Sequence, residues 1–183
     1  MEKIIKNNLY IIEGLPGRWK SFFVSYFASN YRLIFSNLEI KHNGRIVSNP
    51  IKWIADVQKI GFHDEKGLII IEEAGVNASS RRFFSKENAA FSRLGMLGRK
   101  KNKDIIFIAQ ITRTIDNNIR ELAIYKFTMN SYYIGHNRLM FEFTVKDRND
   151  NILWTKEIDL TQWAEDWGWS YSTLEDSIIL EDE

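Results

Sequence analysis

The stretch Gly14-Leu15-Pro16-Gly17-Arg18-Trp19-Lys20-Ser21 decides the reading of this 183-residue chain. A phosphate-binding loop runs glycine, four free residues, glycine, lysine, then serine or threonine. The stretch meets that pattern everywhere except at Trp19, which stands where the second glycine belongs. Leu9-Tyr10-Ile11-Ile12 before it is an apolar run suited to a buried strand. Ser21 to Ala28 after it places apolar residues at roughly helical spacing. Strand, glycine-containing loop and helix are the context the motif requires. Inward-turned backbone N–H groups and the positive end of a helix hold a phosphate there. Lys20 would reach the outer phosphates of ATP, and the Ser21 hydroxyl would ligate Mg²⁺.

A phosphate loop needs partners from other strand ends. Ile69-Ile70-Ile71-Glu72-Glu73 supplies two carboxylates straight after an aliphatic run. Glu72 is the candidate to hold the metal, and Glu73 the candidate to orient and deprotonate the attacking water. Such a pair also occurs at ordinary solvated strand ends, so its weight comes from following a phosphate loop on the same sheet edge. Ile105-Ile106-Phe107-Ile108-Ala109-Gln110 is a third strand, ending in a glutamine that could sense the γ-phosphate or the water.

Strand and helix patterns alternate through the first two thirds, which predicts a parallel α/β sheet. Further strands are expected at Tyr31–Phe35 and Ile124–Met129, and helices over Pro50–Ile60, Arg81–Leu97 and Asp116–Leu122. Residues 36–50 read as irregular. Arg138–Lys146 and Ile152–Ile158 then alternate around Asp147-Arg148-Asn149-Asp150-Asn151, a hairpin signal. In the tail, Trp163, Trp167 and Trp169 are expected to pack on the sheet edge. The chain reads as one domain, with a core over 1–130 and a hairpin and acidic, tryptophan-rich tail over 131–183.

The net charge of +1 conceals a polarity. Arg81 to Lys103 holds eight Lys or Arg in 23 residues, whereas Glu157 to Glu183 holds nine acidic residues and no basic one. The basic run could be a solvated helix face or could meet a phosphate backbone. The acidic tail could simply solubilise the chain or could dock on a basic surface. No cysteine is present, and His42, His63 and His136 lie far apart, which argues against a zinc site. No run approaches the roughly 20 apolar residues of a membrane helix, and no secretion segment opens the chain. A cytoplasmic location follows, the host cytoplasm if the source is viral.

Gly14–Ser21, Ile69–Glu73, Leu97-Gly98-Arg99-Lys100 and Asp104–Gln110, followed by Ile115-Asp116-Asn117-Asn118-Ile119-Arg120, together resemble the FtsK–HerA superfamily of P-loop ATPases. The order and spacing are similar to those of Zot-like proteins and of genome-packaging ATPases of archaeal viruses. The resemblance covers about residues 8–130. It implies a RecA-like three-layer sandwich, a homo-oligomeric ring, and ATP-driven movement of double-stranded DNA. It also implies an arginine acting on the neighbouring subunit's ATP, for which Arg99 matches best and Arg93, Arg113 and Arg120 compete. A guanidinium in that place neutralises charge on the transferred phosphoryl group. Glu72 stands where the family usually has aspartate. Viral genome packaging, with a capsid protein as a further partner, is the first expectation. A Zot-like morphogenesis or DNA-export ATPase is the alternative, though such proteins commonly carry a membrane segment. Trp19 keeps open a third, a structural or DNA-binding subunit with a degenerate loop.

Overall fold

The structure is a computed structural model that describes residues 9–16, 20–52, 56, 60, 65–72, 86–98, 100, 102–135, 138–159 and 169–173. Strands β1 (Leu9–Glu13), β2 (Leu33–Ser36), β5 (Asn49–Pro50), β6 (Gly67–Ile71), β7 (Lys103–Ala109), β8 (Tyr125–Ile134), β9 (Arg138–Lys146) and β10 (Ile152–Asp159) form one sheet in the order β10-β9-β8-β1-β7-β6-β2-β5. Pairing is parallel from β5 to β8 and antiparallel from β8 to β10. This is the mainly parallel sheet with a C-terminal hairpin that the sequence predicts.

Why the central strands read as unbroken aliphatic runs follows from the layers. Side chains alternate across a strand, and both faces of this sheet are covered. Tyr10, Ile12, Leu68, Ile70, Ile106 and Ile108 pack with Phe22, Phe23, Val24 and Phe27 of helix α1 (Lys20–Ala28). The intervening residues Leu9, Ile11, Ile69, Ile71, Ile105 and Phe107 pack on the other face. There they meet Phe91 and Leu94 of α2 (Lys86–Gly98) and Ile119 of α3 (Asn117–Leu122). Every residue of β6 and β7 is buried. Helix, sheet, helix is the expected three-layer sandwich.

Two expectations need correction. Residues 36–50 are ordered strand and turn. They contain β3 (Leu38–His42), β4 (Arg45–Ile46) and β5, and Pro50 ends a strand where the sequence reading had it open a helix. The β3–β4 hairpin turns at Asn43 (φ 49°) and Gly44 (φ 75°), the two positive dihedrals that an Asn-Gly hairpin turn supplies. The second correction concerns the tail. β11 (Trp169–Thr173) pairs antiparallel with β3 in a separate sheet ordered β11-β3-β4, and not with an edge of the main sheet. It runs against α1, while Trp163 and Trp167 lie outside the described residues.

The amino end of β7 carries two buried charged residues. Lys103, the last member of the basic run, donates to the Glu65 carbonyl. Asp104 accepts from the Tyr31 hydroxyl at 2.6 Å. Burial first, then the bond to Asp104, pushes the Tyr31 hydroxyl well above its ordinary pKa. Polar groups buried in this way must be hydrogen-bonded, or they cost free energy.

Candidate functional site

Three strand ends meet at the carboxyl edge of the sheet. The registers Glu13↔Ala109 and Ile71↔Phe107 bring the ends of β1, β7 and β6 side by side, with β7 in the middle. Beyond β1 the chain enters the loop at Gly14. A Cβ built there would lie 2.6 Å from the Met129 carbonyl oxygen, so only glycine lets the loop start against β8.

Lys20 opens α1, and its Nζ donates to the carbonyls of Gly14 at 2.7 Å and Leu15 at 3.1 Å. The ammonium therefore sits at the mouth of the loop. The first turn of α1 contains no acidic residue, so the helix itself supplies no charge to offset its positive end. Ser21 is buried, and its Oγ donates to Oε1 of Glu72, which directly follows β6. A hydroxyl from the start of α1 and a carboxylate oxygen from the end of β6 thus come together. Oxygen donors suit Mg²⁺, which takes few protein ligands and completes its shell with phosphate and water. Among the described residues no three His, Asp or Glu side chains could hold an ion unaided. These residues fit a cation that arrives with a phosphate.

Asn37, which the sequence reading passed over, fixes Glu72. Its Nδ2 donates to the Glu72 carbonyl at 3.0 Å, and the Glu72 N–H donates to its Oδ1 at 2.7 Å. Buried just past the end of β2, the side chain continues the β2–β6 ladder by one step. The one signal in the sequence was a polar residue after an apolar strand, which is too common to single out.

Gln110 follows β7 directly and is exposed. It lines a cavity of about 410 Å³ with Glu13, Gly14, Leu15, Ile111, Thr128, Met129 and Asn130. Glu13 was also missed. Its carboxylate accepts from the Thr112 N–H at 3.0 Å, from the Thr112 hydroxyl, and from the Thr128 hydroxyl at 3.0 Å.

The structure therefore brings together Gly14, Leu15, Pro16, Lys20, Ser21, Glu72 and Gln110 at one edge. Gly17, Arg18, Trp19, Glu73 and Arg99 lie outside the described residues. Of the competing arginines, Arg93 is exposed on α2, Arg113 is exposed three positions past Gln110, and Nη2 of Arg120 donates to Asn117 Oδ1 at 3.0 Å. No helix among the described residues is long and apolar enough to cross a membrane.

Known structures share this architecture. The N-terminal domain of zonular occludens toxin from Neisseria meningitidis is 18% identical, with a TM-score of 0.56, over 94% of this chain and 97% of that one. The genome packaging NTPase B204 of Sulfolobus turreted icosahedral virus 2, solved with ATP-gammaS, is 12% identical with a TM-score of 0.57, over 80% of this chain and 95% of that one. A KaiC-like protein from Pyrococcus horikoshii is 8% identical, at 0.54, over 84% and 85%. At such identities the likeness speaks to fold, and the fold is that of the P-loop NTPases. No individual curated protein matches the chain in sequence. Residues 29–183, from just after α1 onward, match the family described as Zonular occludens toxin (Zot), and the chain belongs to that family.

Proposed function

We propose that this chain is an ATP-hydrolysing motor that moves DNA. The observation that carries the reading is the bond from Ser21 Oγ to Glu72, joining loop and strand end across 51 residues of sequence. The phosphate loop, Gly14 to Ser21, would bind the nucleotide, with Lys20 on its outer phosphates. Ser21 and Glu72 would hold Mg²⁺, whose chemistry is to offset negative charge on the phosphates. Glu73 would accept a proton from the attacking water, and Gln110 would orient that water. Arg99 from a neighbouring subunit would complete the site, which calls for a homo-oligomeric ring. The single ATPase unit, 1–183, would work in the cytoplasm on double-stranded DNA.

Membership of the Zot family favours the morphogenesis or DNA-export form of this activity over genome packaging. The packaging form keeps the support of its structural likeness to B204. A structural subunit without turnover remains the reading that Trp19 favours.

The deciding measurement is ATP hydrolysis with Mg²⁺, with and without duplex DNA. Hydrolysis that DNA accelerates is expected, and Lys20→Ala and Glu73→Gln are each expected to abolish turnover. Absence of ATP binding by calorimetry at millimolar nucleotide would overturn the motor in favour of the structural subunit. If Arg99 acts across subunits, mixing Arg99→Ala with Glu73→Gln chains restores part of the activity.

A further inference from the structure

We infer that Glu13 is a positioning residue that sets Gln110 against the phosphate loop, an inference that rests on the ATPase reading above. Glu13 is the last residue of β1 and the immediate neighbour of Gly14, so its backbone moves with the loop. Its side chain reaches two other elements. One carboxylate oxygen accepts from the N–H and the hydroxyl of Thr112, two residues past Gln110. The other accepts from the Thr128 hydroxyl on β8. Thr112 opens a short 3-10 turn (Thr112–Thr114) whose preceding residue, Ile111, makes no side-chain cap. An orphan N–H at a helical start needs an acceptor, and here it comes from a strand 99 residues away in sequence. Hydrogen bonds from two elements to one side chain fix their relative position, because each bond is directional. Glu13 and Gln110 wall the same cavity beside Gly14. A displacement of the loop is thus transmitted through one half-buried carboxylate to the segment that carries the glutamine.

Geometry, not charge, is what this brace supplies. Glutamine at position 13 can keep all three bonds, its carbonyl accepting from Thr112 and its amide donating to the Thr128 hydroxyl. Glu13→Ala is expected to lower kcat about tenfold to a hundredfold, the size of effect a small misplacement of a reacting group has. The KM for ATP should stay within about twofold, and Glu13→Gln should keep most of kcat. In Glu13→Ala the Thr112 amide should exchange with solvent faster, while the amides of β1 stay protected. The test is a double-mutant cycle with Gln110→Ala. If Glu13 acts through Gln110, the double variant is no slower than Gln110→Ala alone. Multiplying losses in an active enzyme would overturn the brace and leave the ATPase reading standing. A Glu13→Gln variant as slow as Glu13→Ala would do the same. A wild-type chain that hydrolyses no ATP would overturn both.

Discussion

The two halves of the sheet solve different problems. In the parallel centre, β6 and β7 are buried along their whole length, so polar chemistry has nowhere to go but the strand ends. In the antiparallel wing, β8 alternates buried and partly open positions, and β10 is open to solvent almost throughout. The inner faces of β8 and β9 still bury Phe127, Met129, Phe141 and Phe143 with α1, and cross-strand pairs hold the outer strand. Tyr132 donates to Glu157 at 2.8 Å, Arg138 pairs with Asp159 at 2.8 Å, and Trp154 lies edge-on to Phe143 at 5.2 Å. Exposed pairs of that kind contribute little each. The difference separates tolerance from function: the centre and β8 fix where the site is, and the outer strand β10 can change without moving it.

The contrast can be broken by measuring both halves on one stability scale. Phe107 is fully buried and packs edge-on against Phe91 at 6.0 Å. Phe107→Ala should cost about 3–5 kcal/mol in denaturant unfolding, through lost burial and the cavity left behind. Tyr31→Phe should cost less, about 1–2 kcal/mol, for the bond lost to buried Asp104. It also carries a pH signature. A hydroxyl whose folded pKa is raised above the unfolded value of 10.0 contributes stability that is complete below pH 10 and is lost as pH climbs above it. Wild-type unfolding curves should therefore weaken in alkali, and those of Tyr31→Phe should weaken less. Trp154→Ala, on the half-open wing, should cost about 1 kcal/mol, mostly the aromatic pair. A cost there equal to that of Phe107→Ala would erase the distinction between the halves.

Much of this was legible in advance because it is local. Aliphatic runs gave the central strands, alternation gave the β9–β10 hairpin, and motif order gave Lys20, Ser21, Glu72 and Gln110 a common edge. Asn43-Gly44 was a turn signal of the same local kind, hidden by reading residues 36–50 as punctuation. What could not be read was tertiary. Nothing near Asn37 says that it will clamp Glu72, and nothing near Trp169 says that it will pair with His42. Glu13, one residue past the apolar run Leu9–Ile12, carries no local signal of its own. Its partners, Thr112 and Thr128, become neighbours only once β7 and β8 flank β1.

That flanking has a consequence for assembly. On both sides, β1 is hydrogen-bonded only to strands made much later, β7 and β8. Pairings so distant in sequence close slowly, because the intervening chain must be ordered first. During synthesis Leu9 to Ile12 stay apolar and unpaired until β7 has emerged, and open on one side until β8 follows, an interval in which a nascent chain is prone to stick to others. The phosphate loop is thus made well before β7 and β8, the strands that frame it.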